Sequence, residues 1–325
     1  MVMLQHLLQQ QKQRKPAIAQ ELDVGSPENC HTPICAEPEV GTSSSSGPPP
    51  ARRQRRVIRP ATSQRSPFID YNKKKTFNSN EAVNKLYATI LFWVRHHPGA
   101  NDEATSPEII RFGAFYISLK ELVDLMKPVQ WLSKIVIENG ILHIMDNLPE
   151  GSKKMNLQQG IHNVNEINKK FDYKNRLDKK DLVMLLVLEC ADVTDKEGGR
   201  HYWVFNVNLR DGRFEVLDSN RTLDNIELMT TASTIAGAVR QLWRKHYPKF
   251  SIEHFQIIDI DVPKQLGNNE CGLFALLNAT EWNGSQLPNY EPKEVLNIRK
   301  KLAYDWVTSV HNTAPWRKLL RYDKD

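Results

Sequence analysis

Apolar residues change their period along the chain. Val83, Leu86, Tyr87, Ile90 and Val94 recur at helical spacing. This predicts an amphipathic helix over 81–96 that ends near Pro98 and Gly99. A polar loop follows to about Ser106. Ser118-Leu-Lys-Glu121 has the form of a capping box, opening a short helix that must stop before Pro128. The stretch from Trp131 to Met145 reads as a further apolar helix.

After a charged, Asn- and Lys-rich stretch over 152–180, strands begin. Leu182 to Leu188 is a continuous apolar run between Asp181 and Glu189, as in a strand covered on both faces. Residues 201–209 and 213–218 are rich in aromatic and β-branched side chains. Asp211-Gly212 between them is a strong hairpin signal. Residues 233–247 read as helix, 254–262 as strand, and 271–282 and 292–310 as helices. Strands clustered centrally with helices on either side indicate an α+β fold rather than a doubly wound sheet.

Composition separates a tail from a body. Residues 1–67 contain no Phe, Trp or Tyr but hold nine of the 18 prolines, with runs at Gln9–Gln11 and Ser43–Ser46. Such a segment buries too little apolar area to offset its ordering entropy. The expected division is a basic Pro/Ser/Gln-rich disordered tail over 1–80 and a folded domain over 81–325. The tail carries 12 of the 44 basic and 6 of the 38 acidic residues, leaving 32 of each in the body. The net charge of +6 therefore belongs to the tail. Arg52-Arg53-Gln54-Arg55-Arg56, Arg59 and Lys73–Lys75 suit a nuclear import signal, and a nucleic-acid partner is expected only through them. The expected location is the nucleus, otherwise the cytoplasm.

Other classes are excluded on similar grounds. No apolar run approaches the 18 or so residues of a transmembrane helix, so no membrane partner is expected. Met1 to Leu8 lacks the basic start and cleavage site of a secretory signal. The four cysteines are too few for a disulfide scaffold. Cys30 and Cys35, with His31, have no second ligand pair in sequence, so no metal site is expected. The glycosylation patterns at Asn220, Asn278 and Asn283 read as chance matches.

Cys271 has the setting of a nucleophile. It follows a strand and a polar loop and opens the apolar helix Cys271-Gly-Leu-Phe-Ala-Leu-Leu277. Free N–H groups and the macrodipole at a helix N-terminus favour a thiolate. Gly272 would let a substrate backbone approach closely. His201 opens one strand of the Asp-Gly hairpin and Asp218 ends the other, so folding makes them cross-strand neighbours able to hydrogen-bond. Gln265, six residues before the cysteine, could present its amide to an oxyanion.

His201-Tyr-Trp-Val-Phe, Phe214-Glu-Val-Leu-Asp218-Ser219 and Gln265-Leu-Gly-Asn-Asn-Glu-Cys271-Gly-Leu-Phe274, in this order and spacing, resemble the ubiquitin-like protein (SUMO)-specific cysteine proteases. Upstream, Ile117-Ser-Leu-Lys-Glu-Leu and Trp131-Leu-Ser-Lys-Ile-Val-Ile137 resemble the family's approach to its substrate-tail tunnel. The resemblance covers about 115–310 and is nearest to plant members. It implies a papain-like fold, a central mixed or antiparallel sheet flanked by helices, and cleavage after the Gly-Gly end of SUMO or a related ubiquitin-like modifier. It implies no metal and no cofactor. His201 would be the general base, Asp218 its orienter, Cys271 the nucleophile and Gln265 an oxyanion donor. Trp131, Tyr202, Trp203 and Lys134 would join Gly272 in contacting substrate. Tyr202 stands where the family usually has Trp, Lys134 where it often has Asp, and Glu270 where Asp is commoner. The alternative that these departures suggest is a modifier-binding protein of the same fold with weak or no catalysis.

Overall fold

The computed structural model describes residues 66–322 except residues 98, 101, 103, 158–163 and 191–198. The tail over 1–65, with Cys30, His31, Cys35 and the Arg52–Arg59 cluster, lies outside the described residues.

Eight helices and nine strands are built among the described residues. Helices α1 (Glu81–His96), α2 (Leu119–Met126), α3 (Lys134–Asp146), α4 (Val164–Phe171) and α5 (Ile226–His246) are followed by α6 (Cys271–Glu281), α7 (Val295–Val307) and α8 (Trp316–Leu320). The strands are β1 (Ile69–Lys74), β2 (Glu108–Phe112), β3 (Phe115–Ser118), β4 (Lys154–Leu157), β5 (Leu182–Cys190), β6 (Gly199–Asn208), β7 (Arg213–Leu217), β8 (Gln256–Asp259) and β9 (Leu287–Asn289). The main sheet runs β4-β5-β6-β7-β8. Its outer pairs β4–β5 and β7–β8 are parallel, whereas β6 is antiparallel to both neighbours. This is the α+β fold with a mixed central sheet expected from the chain.

The sheet separates two cores, and strand alternation assigns residues to them. Leu182, Met184, Tyr202 and Val204 pack with α6, α2 and α3 on one face. Val183, Trp203, Phe205 and Val207 pack with Leu228, Ala232, Val239 and Trp243 of α5 on the other. That double covering explains the unbroken apolar run of β5. Helix α6 is apolar all round and wholly central, with nine of its eleven residues buried. It approaches α3 closely at Gly140, where a Cβ would come within 2.9 Å of the Leu276 methyls.

Capping decides several boundaries. Ser118 makes the reciprocal capping box with Glu121 at the start of α2. Ser133 accepts from the Val136 N–H, so α3 begins at Lys134 and not at Trp131. Asn225 caps Leu228 and starts α5 seven residues earlier than its apolar pattern indicates. The strand expected over 254–262 is confined to Gln256–Asp259.

The boundary drawn at residue 80 needs correction. Residues 66–80 carry β1, which runs parallel to β9, and Ser66 Oγ donates to the Asp261 carbonyl at 3.0 Å. Folded structure thus includes the Lys73–Lys75 run that composition assigned to the tail.

Candidate active site

The β6–β7 hairpin and the N-terminus of α6 bring the chemical groups together. His201 Nε2 lies 2.9 Å from Asp218 Oδ1. The two are not directly opposite: the ladder ends at Val204–Leu217, so continuing it one step would place Asp218 beside Trp203. Asp218 therefore reaches His201 diagonally, still within contact range on one sheet. The Cys271 thiol also interacts with the imidazole. With Nε2 committed to Asp218, Nδ1 is the nitrogen left for the thiol.

Burial alone would pull the His201 pKa down. Hydrogen bonds and charge from Asp218 and Cys271 overcome it and raise the value to about 9. At neutral pH the imidazole is then protonated beside the thiol. Burial would likewise raise the Asp218 carboxyl, yet His201, the Asn220 N–H and Arg221 hold it below its ordinary value.

Asp218 is itself held in place. Its Oδ1 accepts from the backbone N–H groups of Asn220 (2.8 Å) and Arg221 (3.1 Å). Arg221 Nε donates to its Oδ2 at 3.0 Å, while the same guanidinium forms a fork onto Glu189 with two 2.9 Å bonds. Glu189 Oε1 also accepts from the Trp203 indole at 2.9 Å. Lys264 Nζ closes the turn by donating to the Asp218 carbonyl at 2.9 Å. Charge-assisted, bidentate bonding of this kind fixes orientation as well as charge.

Gln265 is anchored at three points. Its N–H donates to the Ser219 carbonyl at 2.9 Å, Ser219 Oγ donates to its Oε1 at 2.7 Å, and its Nε2 donates to the Gly267 carbonyl at 2.6 Å. One Nε2 hydrogen remains beyond the Gly267 bond. Glu270 Oε2 accepts from the N–H groups of Leu266 (3.1 Å) and Gly267 (3.0 Å), folding the loop before the cysteine. No side chain caps α6, so the first-turn N–H groups at Cys271 are left unclaimed by a cap.

The expected substrate contacts divide. Trp131 is 42% exposed in the loop before α3, with Lys134 on the first turn beyond it. Lys134 Nζ is 3.9 Å from Glu138, whose pKa burial raises and Lys134 lowers, the net effect being upward. Asn269 Nδ2 donates to the Val129 carbonyl and joins this loop to the one before Cys271. Tyr202 is buried against Gly272, its Cδ2 lying 3.4 Å from where a Cβ there would sit.

The expectation for Trp203 is corrected, and Gly272 has a packing neighbourhood of its own. Trp203 is fully buried in the core on the α5 side, because alternation turns it to the opposite face from Tyr202. Gly272 faces Ile137, Tyr202 and Leu132, and a Cβ would come within 2.9 Å of Ile137 Cδ1. Its missing side chain serves helix packing. Sequence reasoning did not find Glu189, Arg221, Lys264 or Ser219 as supporting residues. A glutamate ending an apolar strand beside the histidine strand was the available signal for Glu189.

Among the described residues no group of acidic, His or Cys side chains could hold a metal ion, and no helix is long and apolar enough to cross a membrane.

The C-terminal catalytic domain model of the Ulp1 protease family matches residues 145–310. No curated protein matches the chain. Among solved structures, the C-terminal Ulp1 protease domain in complex with Smt3, the yeast orthologue of SUMO, superposes with a TM-score of 0.55 at 13% identity. That match covers 72% of this chain and 97% of the other. The SUMO protease Ulp1 with its catalytic cysteine oxidised to a sulfenic acid gives 0.54 at 16% identity, with 72% and 97% covered. The sulfinic acid form gives 0.54 at 15% identity, with 75% and 100% covered. At such identities these likenesses establish a shared fold.

Proposed function

From the chain's membership of the Ulp1 protease family of cysteine peptidases, whose C-terminal catalytic domain it carries, we propose that it cleaves after the terminal Gly-Gly of SUMO or a related ubiquitin-like modifier. The observation that carries the reading is the His201 imidazole bonded to Asp218 and interacting with the Cys271 thiol.

In this reading the Cys271 thiolate attacks the carbonyl carbon of the last glycine, and the carbonyl electrons move onto oxygen. The first-turn N–H groups of α6 and the remaining Gln265 N–H receive that oxyanion. The tetrahedral intermediate collapses as His201 gives its proton to the departing amine, leaving an acyl-enzyme. Neutral His201 then takes a proton from water, whose oxygen attacks the thioester carbonyl. Cleavage of the C–S bond returns the thiolate and a modifier ending in a glycine carboxylate. Asp218 keeps the imidazole oriented in both halves and remains a carboxylate. The exposed Trp131 supplies apolar surface that suits a side-chain-free tail. These roles need no cofactor. A catalytically inactive binder has no observation in its favour, since nothing in the triad is missing.

For location, the Arg52–Arg59 cluster supports the nucleus, and a fluorescent fusion with the arginines replaced should lose nuclear accumulation. Binding of nucleic acid through that cluster would appear as salt-sensitive retention on DNA.

The test is turnover of two substrates, a modifier extended by a short peptide after Gly-Gly and a modifier joined to a lysine side chain. Release of a product whose mass ends at Gly-Gly supports the reading, and the relative rates separate processing from deconjugation. Failure to cleave either junction for any modifier tested would overturn it.

A further inference from the structure

Arg299, on α7, is a buried cation outside the chemistry described so far. It is 0% exposed. Among the described residues it forms no ion pair with any carboxylate. Its guanidinium instead donates to three backbone carbonyls from three segments. Nη1 reaches Leu125 at 2.9 Å, and Nη2 reaches Gln130 at 2.7 Å and Asn269 at 3.5 Å. Leu125 lies in the last turn of α2, where free carbonyls and the macrodipole favour a cation. Gln130 immediately precedes Trp131, and Asn269 lies two residues before Cys271. Burial lowers the Arg299 pKa to about 10, with Glu270 opposing the shift, so the side chain stays charged at neutral pH.

Burying a charge without a counter-ion is costly, and a well-packed apolar side chain would fill the same place more cheaply. What an apolar residue could not do is bond the two loops to one another. Asn269 already links them through its bond to the Val129 carbonyl. The loop 127–133 carries Trp131 and the loop 263–270 carries Gln265. In the proposed reaction both loops border the substrate tail, and a small error in the spacing of groups that hold a substrate misaligns it.

We propose that Arg299 is a positioning residue that fixes the spacing between the Trp131 loop and the Gln265–Cys271 loop, and with it the fit of the substrate tail. Because the His201–Asp218–Arg221–Glu189 network is built from β5, β6 and the turn after β7, Arg299 acts on alignment and leaves the ionic state of the thiol alone. The proposal rests on the substrate reading above, and its test separates the two.

Arg299→Lys and Arg299→Met are compared with wild type in the full chain, together with the milder Asn269→Ala. The substrate is a modifier carrying a fluorogenic amide after Gly-Gly, and a second assay follows alkylation of Cys271 by iodoacetamide across pH. The expected result is a kcat/KM at least tenfold lower for both Arg299 variants, carried mainly by KM, and a smaller loss for Asn269→Ala. Alkylation rates and their pH profile should stay within about twofold. Unchanged kcat/KM, or equal losses in turnover and alkylation, would overturn the proposal. If wild type turns over no modifier, the substrate reading has failed, and amide hydrogen exchange then decides this one. Faster exchange in both loops of Arg299→Lys, with β5–β7 unchanged, supports it. Unchanged exchange in both loops overturns it.

Discussion

Ser219 Oγ donates to Gln265 Oε1 at 2.7 Å, one residue beyond the carboxylate that holds His201. One dipeptide at the end of β7 thus orients both the proposed base and the proposed oxyanion donor. Removing the hydroxyl leaves the Gln265 amide held only by its Nε2 bond to the Gly267 carbonyl. Ser219→Ala should lower kcat about tenfold with little change in KM, and Ser219→Thr should restore most of it. Gln265→Ala should cost more, on the order of 10²–10³ in kcat. Steady-state kinetics on a modifier amide would check both.

The pH profile follows from the raised His201 pKa. In the proposed reaction the protonated imidazole is the acid that expels the amine, so kcat/KM should fall as pH rises through about 9. Asp218 contributes to that elevation, so Asp218→Asn should move the descending limb to lower pH while reducing the maximum. A limb that does not move would show that Asp218 does not set the ionisation.

Arg221 joins Asp218 to Glu189, with both acceptors largely buried. Arg221→Met leaves two carboxylates without their shared donor. The expected loss is about 1.5–3 kcal/mol of folding stability, the scale of a hydrogen bond to a charged group. Urea unfolding should show a lower midpoint at an unchanged slope.

Gly272→Ala presses a methyl toward Ile137 Cδ1. Overpacking of this kind costs about 1–3 kcal/mol. Ile137→Val removes the opposing Cδ1, so the double variant should recover part of the loss. A double-mutant cycle in stability measures the coupling. If Gly272 served only substrate approach, stability would be untouched and KM alone would rise.

The candidate residues His201, Asp218 and Cys271 were readable because a hairpin signal and a helix start are local, although tertiary packing of α6 on the sheet is what brings the cysteine to the hairpin. The groups supporting them were not readable. Arg299 sits in a run of basic residues on a helix and looks like surface charge, and only tertiary packing buries it. Glu189 and Arg221 are far apart in sequence and meet across β5 and the turn after β7. Tyr202 and Trp203 were both assigned to the substrate, although strand alternation lets only one face the α6 side. Strands β1, β2, β3, β4 and β9 are short or polar, and their pairing across distant segments leaves no periodic trace.

The central claim is that His201 and Asp218 arm Cys271 to accept the end of a ubiquitin-like modifier. Intact-mass analysis of the protein with modifiers bearing an electrophile in place of the terminal glycine tests it most directly. The account predicts one covalent adduct with SUMO or a related modifier, mapped to Cys271, absent in Cys271→Ala and slowed in His201→Ala. No adduct with any modifier, or one that survives Cys271→Ala, would contradict it.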